Sequence, residues 1–252
     1  MGAPYRIGLY VAAALIVCRA DTINNISCPS LGPDGYLPQV ANGGSWKTTI
    51  VFVNGAGGSA PFKLAFFAAD GSPLEMRFGP STHASVYCGI VLPLGTTTVE
   101  TEGADEELQQ GWVEVTYPAV STSVTTVLRQ RVTGRPDFEA AVPIVQSLSF
   151  RFFVPFDDTA GLTTSVALIN ASSSLGAAIT ATARDELGRV IGGSDFSVPR
   201  RGHTAFPVVS QIPGIAGRRG SVEFASTGAS IGGMAFRFNS GGAFTILSGL
   251  GR

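Results

Sequence analysis

The chain of 252 residues contains one pattern twice, and this internal repeat restricts its fold more than any other feature. The segment LPQVANGGSWKTTIVFVN at 37–54 corresponds to VPFDDTAGLTTSVALIN at 154–170. Further matches follow in the same order along both halves: Leu64 and Asp70 with Ile179 and Asp185, GWVEV at 111–115 with GSVEF at 220–224, and VLR at 127–129 with AFR at 235–237. The conserved order predicts that one module was duplicated.

Each copy has the pattern of β-strands. Trp46, Thr48, Ile50 and Phe52 alternate with other residues and would share one face of a strand. Short apolar runs recur between turn signals such as Asn54-Gly55. About seven strands in about 100 residues, found twice, predict an all-β protein of two tandem immunoglobulin-like or fibronectin-III-like β-sandwiches. The one helical candidate, ADEELQQ at 104–110, is expected to be an acidic loop.

The expected division of the chain follows from the repeat. Residues 1–20 are expected to be a signal peptide, and residues 21–142 to form sandwich 1, with an insert near 79–90. A linker at 143–148 would lead to sandwich 2 at 149–252.

The first twenty residues have the features of an export signal. Arg6 precedes an apolar run from Ile7 to Val17, and the small residue Ala20 offers a cleavage point. The run is too short to span a bilayer, which needs about 20 apolar residues. We therefore expect a secreted, periplasmic or cell-surface protein with no transmembrane segment in the mature chain; an uncleaved interfacial anchor is the alternative.

Two cysteines would remain after cleavage. Cys28 and Cys88 form an even pair in an oxidising compartment, which predicts a disulfide between them. Two buried free thiols are the alternative. No CxxC motif is present, so neither zinc binding nor redox chemistry is indicated.

The composition excludes some classes of function. Lys and Arg number 17 against 18 Asp and Glu, which gives a net charge of −1 and none of the basic excess of a nucleic-acid binder. No nucleotide-binding motif occurs, and no cofactor or metal is expected. The acidic run 100–107 and the pair Asp157-Asp158 could hold surface calcium, but solvated loops are the preferred interpretation.

Catalytic signals are few. Gly228-Ala-Ser230-Ile-Gly232 has the letters of a serine-hydrolase elbow, yet strand-like segments flank it where the elbow requires a following helix. Only His83 and His203 could act as a base. We expect His203 to be a solvated residue in a turn and the protein not to be an enzyme.

Aromatic side chains are concentrated in the first copy. Trp46 corresponds to Leu162 and should pack inside, whereas Trp112 corresponds to Ser221 and is the best candidate for an exposed ring. Trp112, with Tyr117 and Tyr87, could form a platform that stacks on sugar rings.

Several stretches of the second copy resemble a group of secreted bacterial proteins, frequent in acidobacteria-like genomes, that have no assigned function. They are VPFDDTAGLTTSVALIN at 154–170, ARDELGRVI at 183–191, PRRGHTAF at 199–206 and GMAFRFNSGGAFTIL at 233–247. The resemblance implies export and tandem β-sandwiches, and it implies no catalytic residue.

The expected function is that of an exported, non-catalytic interaction module with a protein or glycan partner. A carbohydrate-binding module that uses the aromatic residues of sandwich 1 is the main alternative. A two-domain periplasmic chaperone and a serine hydrolase rank below it.

Overall fold

The protein is built almost entirely from antiparallel β-strands. The computed structural model describes residues 27–79 and 82–252. The predicted all-β sandwich class is confirmed. The predicted signal peptide at 1–20 lies outside the described residues.

Sandwich 1 consists of two four-stranded sheets that enclose one apolar core. One sheet has the order β1-β8-β3-β6, and the other has the order β10-β9-β2-β7. A two-stranded hairpin, β4-β5, is added at its side. The strands are β1 (Gly35–Asn42), β2 (Trp46–Asn54), β3 (Ala60–Phe67), β4 (Met76–Arg77), β5 (His83–Ala84), β6 (Val86–Val91), β7 (Thr96–Glu100), β8 (Gln109–Thr116), β9 (Thr122–Gln130) and β10 (Phe138–Val142).

Sandwich 2 consists of a five-stranded sheet, β14-β13-β16-β11-β19, and a four-stranded sheet, β15-β12-β17-β18. The strands are β11 (Arg151–Asp157), β12 (Thr163–Asn170), β13 (Ala177–Asp185), β14 (Val190–Val198), β15 (His203–Pro207), β16 (Arg219–Thr227), β17 (Ile231–Phe238), β18 (Phe244–Leu247) and β19 (Leu250–Gly251). A helical turn not predicted from the sequence, α1 (Val208–Gln211), follows β15. Among the described residues no helix has the length and hydropathy needed to cross a membrane.

The two sandwiches have the same strand order. If β1, β2, β3 and β6 to β10 are matched in turn with β11 to β18, both pairs of sheets agree strand for strand. In both sandwiches the first strand pairs with the sixth matched strand: β1 with β8, and β11 with β16. In an immunoglobulin domain, by contrast, the first strand lies in the same sheet as the second strand. Origin by duplication remains a prediction that this shared order favours.

Backbone pairing corrects one part of the sequence correspondence. Gly111 packs against the carbonyl of Phe67, and its equivalent Gly220 packs against the carbonyl of Arg184. Phe67 therefore corresponds to Arg184, and the expected matches of Leu64 with Ile179 and of Asp70 with Asp185 are wrong by two positions. A shift of two residues leaves every side chain on its original face of the strand, so the alternating pattern could not reveal it.

The additional element of sandwich 1 is the β4-β5 hairpin within residues 76–84. The insert expected near 79–90 therefore extends too far, because β6 occupies the place of β14 in the shared strand order. Cys88 lies on β6 and is bonded to Cys28, with a separation of 60 residues. The predicted disulfide is present and ties the segment before β1 to the edge of its sheet.

A buried asparagine closes the same end of each sandwich. The Asn54 side-chain NH₂ donates to the carbonyls of Gly58 and Leu92 at 2.7 and 3.1 Å, and Oδ1 accepts from the Ala56 N–H at 3.0 Å. Asn170 makes the equivalent bonds, donating to Leu175 and Pro199 at 2.8 and 3.0 Å and accepting from Ser172 at 3.0 Å. Each buried amide thus connects two loops and has its own donors and acceptor satisfied by them.

The two sandwiches share a buried apolar interface. Residues of β12 alternate between the core of sandwich 2, as Leu168 does, and the surface of sandwich 1, as Ala167 and Ile169 do. On β17, Ala235 faces inward, while Met234 and Phe236 join the apolar cluster of sandwich 1. Strands buried on both faces explain the uninterrupted apolar runs VALI and MAF. The linker therefore joins domains that are packed together.

Replacing either buried asparagine should destabilise the fold strongly. We expect Asn54→Ala and Asn170→Ala each to lower the free energy of unfolding by about 2–4 kcal/mol, because each removes three hydrogen bonds that connect two loops. The control is Asn239→Ala, since Asn239 makes its turn bonds to Gly241 and Ala243 at an exposed site. Urea unfolding followed by circular dichroism measures all three, and equal losses would contradict the assigned role.

The disulfide should stabilise sandwich 1 through the unfolded state. A closed loop of this length contributes about 4 kcal/mol on the chain-entropy estimate. We therefore expect Cys28→Ser with Cys88→Ser to lower the urea midpoint markedly, and dithiothreitol to do the same only for the wild-type chain. An unchanged midpoint in the double variant would contradict this prediction, because it would show that the unfolded chain gains little conformational freedom when the disulfide is removed.

Candidate functional site

Trp112 does not form the exposed platform expected from the sequence. Its side chain is 0% exposed, and its indole N–H donates to the carbonyl of Arg201 at 2.8 Å. The ring stacks on Phe67 with 4.9 Å between centroids. Ser221 is nevertheless its counterpart in sandwich 2. The expectation of exposure is wrong because sandwich 2 covers the position that Trp112 occupies.

The structure also does not assemble the other two predicted aromatic residues into a platform. Tyr117 is only 6% exposed and packs edge-on against Phe52. Tyr87 lies half-buried on β6 between Phe62 and Phe78, with ring centroids 6.3 and 5.0 Å away. The predicted binding group Trp112, Tyr117 and Tyr87 is therefore divided between the domain interface and the core of sandwich 1.

Arg201 is the centre of the contact between the sandwiches, which we call the joint. Its guanidinium lies 4.9 Å from the centroid of Phe67, where a cation is attracted by the face of the ring. Its backbone has a φ of 52°, a left-handed conformation that costs a non-glycine residue about 1 kcal/mol or more. The interactions of its carbonyl with Trp112 and of its side chain with Phe67 offset that cost.

The joint also contains a carboxylate. Burial raises the pKa of Glu114, while the nearby cations Arg201 and Lys63 act in the opposite direction. Glu114 is not paired with Arg129, because the two residues lie on β8 and β9 in different sheets. Arg129 instead pairs with Glu139 at 2.6 Å.

His203 is a buried residue of the joint, and the expectation of a solvated turn is wrong. It is 4% exposed, its Nε2 lies 3.0 Å from Oε1 of Gln39, and its backbone N–H donates to the carbonyl of Ala69. Burial lowers the pKa of His203 to about 4, with an opposing hydrogen bond to the carbonyl of Pro38. The ring is therefore neutral at pH 7 and is held by Gln39 and Pro38.

The remaining chemical candidates lie in structural surroundings. Ser230 lies in the turn between β16 and β17, and a strand follows it where a hydrolase elbow has a helix. In the acidic run, Glu102 and Asp105 both pair with Arg77, and Glu100 pairs with Lys47. Within residues 27–79 and 82–252, no three His, Cys, Asp or Glu side chains are grouped as metal ligands would be.

The loops of sandwich 2 that form the joint have equivalents in sandwich 1, and these equivalents are exposed among the described residues. In sandwich 2 the Arg201 N–H donates to the Ser172 carbonyl, and in sandwich 1 the Leu94 N–H donates equivalently to the Ala56 carbonyl. Leu94 has a φ of 53°, nearly that of Arg201. Leu94 is therefore the structural counterpart of the residue that docks sandwich 2.

We call the free loops of sandwich 1, residues 55–59, 92–95 and 117–121, the distal loops. They form one surface, because the Gly55 N–H donates to the Ser121 carbonyl and the Asn54 N–H donates to the Gly95 carbonyl. Leu92, Leu94 and Val120 are 63%, 76% and 104% exposed there. No Asp, Glu, Lys or Arg occurs in the three loops.

The amino-acid sequence does not reveal this surface, because single exposed aliphatic residues are common in loops. The only sequence signal is that Leu92 and Leu94 flank a proline in the segment that corresponds to Pro199 and Arg201. Only the folded chain shows that the same kind of loop docks in one sandwich and is free in the other.

His203 should make the stability of the joint depend on pH. Its pKa is about 4 in the fold and about 6.5 when unfolded, so the unfolded state binds more protons between these values. The stabilising contribution is complete above about pH 6.5 and decreases by about 3 kcal/mol as the pH falls to 4. Urea unfolding at several pH values measures this decrease.

The chain provides its own control for that experiment. His203→Gln removes the titrating ring and should flatten the pH dependence between 4 and 6.5, whereas His83→Gln changes an exposed histidine and should leave it intact. A steep dependence that persists in His203→Gln would assign the titration to another group.

Comparison of the chain with protein-family models, curated protein sequences and solved structures finds no match in any of the three.

Proposed function

We propose that this chain is an exported, non-catalytic interaction protein that binds a partner protein through the distal loops of sandwich 1. The observation that carries the proposal is the equivalence of Leu94 and Arg201. One set of loops already makes a protein–protein contact inside the molecule, and the matching set presents aliphatic side chains to solvent. The partner surface would be apolar and rich in aromatic rings, as the contact made by Phe67 and Trp112 is at the joint.

The backbone at Leu94 supports a binding role. A leucine with positive φ is unfavourable, and the Leu94 side chain, which is 76% exposed, gains little packing in return among the described residues. Strained residues of this kind concentrate at sites that bind other molecules. A partner that buries Leu94 would supply the contacts that Phe67 and Trp112 supply to Arg201.

Other features support export and a lack of catalysis. A disulfide forms and persists in oxidising compartments, which agrees with the expected signal peptide and with the resemblance to secreted bacterial proteins. The only buried histidine bonds to Gln39 and Pro38, so it is not free to activate Ser230. The carbohydrate alternative loses its support, because Trp112 and Tyr117 are buried.

Changing the distal loops should abolish partner binding. We expect Leu92→Ser, Leu94→Ser and Val120→Ser together to weaken binding at least about tenfold, since three aliphatic side chains would no longer be buried. The protein would be cross-linked on intact cells of its source organism, and partners would be quantified by mass spectrometry.

The matched control changes three exposed aliphatic residues of sandwich 2. Leu175→Ser, Leu187→Ser and Val190→Ser alter side chains that are 53%, 77% and 60% exposed, and partner capture should not change. Equal capture by both triple variants would overturn the assignment to the distal loops. Binding to a glycan array with no protein partner would instead favour the carbohydrate alternative.

A further inference from the structure

The two sandwiches leave a cleft of about 200 Å³ between them, beside the joint. One wall is the outer face of the β15-β12-β17-β18 sheet of sandwich 2. Ser165 lies opposite both Pro207 and Phe236 in the strand pairing, so these residues share that face. The same wall extends to Ala205 and Phe238.

The opposite wall belongs to sandwich 1. It contains the ring of Trp46, which also packs against Phe244 with centroids 5.2 Å apart, and the aliphatic side chains of Leu108 and Leu128. Leu108 and Gln110 are exposed at the mouth of the cleft, and Trp46 is half-buried. A molecule in the cleft would therefore contact aromatic rings from both sandwiches.

The lining indicates the chemistry of an occupant. It contains no Asp, Glu, Lys, Arg or His side chain, so a charged ligand would lose hydration without gaining an opposite charge. Gln39 is already engaged by His203, but Ser165 Oγ and the Gln110 amide bond to no residue within 27–79 or 82–252. The cleft thus offers flat apolar walls and two hydrogen-bonding groups, the usual composition of a small-molecule site.

We propose that this cleft binds a small neutral aromatic molecule that carries one hydrogen-bonding group, such as a hydroxyl, a carbonyl or an N–H. Its ring lies between the walls formed by Trp46 and Phe238, and its polar group reaches Ser165 or Gln110. The cleft is separate from the distal loops, so the protein can bind a partner protein and a small ligand at the same time.

The experiment uses a pair of dyes that differ in charge. N-phenyl-1-naphthylamine is neutral and fluoresces in apolar surroundings, whereas 8-anilinonaphthalene-1-sulfonate has the same rings and a sulfonate. The full chain should bind one equivalent of the neutral dye, at least about tenfold more tightly than the anion. 2-Naphthol and indole should displace it. Equal affinities, or no saturable binding, would overturn the proposal.

Variants locate the bound dye. Ala205→Phe and Ser165→Leu introduce larger side chains into the cleft and should each weaken binding at least about tenfold. Ala178→Phe makes the same change as the first variant at an exposed site on the other sheet of sandwich 2 and should have no effect. Thermal unfolding checks that all variants are folded. Unchanged binding in both cleft variants would overturn the site.

The two tryptophans supply an independent measurement. Trp112 is fully buried, so acrylamide should quench mainly Trp46. An occupying ligand such as 2-naphthol should reduce that quenching, and unchanged quenching at saturation would count against the site. Displacement of the dye only by extended apolar peptides would reassign the cleft to a peptide. The triple variant of the distal loops should bind the dye normally, which separates this proposal from the proposed partner.

Discussion

The packing of sandwich 1 on the outer face of the β15-β12-β17-β18 sheet determines most of what distinguishes this molecule. A sheet of a two-layer sandwich normally exposes one face to water, but here β12 and β17 are buried on both sides. The joint buries Trp112 and His203. It also provides Arg201 with contacts that offset the strain of its backbone. The unfilled part of the same interface forms the cleft. Interface, joint and cleft are thus consequences of one sheet that carries apolar side chains outward.

The sequence allowed the architecture to be predicted, because the features that determine it are local or repeated. Alternation along 46–54 predicted a strand, the matched order of segments predicted two similar units, and the parity of two cysteines predicted their bond. Alternation has a limit, which the match of Asp70 with Asp185 shows. A shift by two residues preserves the pattern, and only the contacts of Gly111 and Gly220 with the neighbouring strand determine the register.

The functional surfaces could not be predicted in the same way, because they depend on how the two copies meet. Trp112 and Ser221 occupy equivalent positions, but only the first lies beneath another domain. His203 has charged neighbours in the sequence, which suggested a solvated turn, yet its ring is enclosed by residues 164 positions away. Leu94 is an ordinary loop residue until its backbone is compared with that of Arg201. Each of these facts concerns contacts between distant parts of the chain.

The joint uses a different surface of each sandwich. Loops of sandwich 2 dock on the flank of sandwich 1, so the contact is heterologous rather than symmetric. Sandwich 2 does not repeat the docking surface of sandwich 1. At the equivalent positions it has Thr182, Arg184 and Ser221 in place of Ala65, Phe67 and Trp112. The two units therefore differ in the surfaces they present: sandwich 1 has an occupied flank and exposed loops, whereas sandwich 2 has docked loops and a polar flank at the equivalent positions.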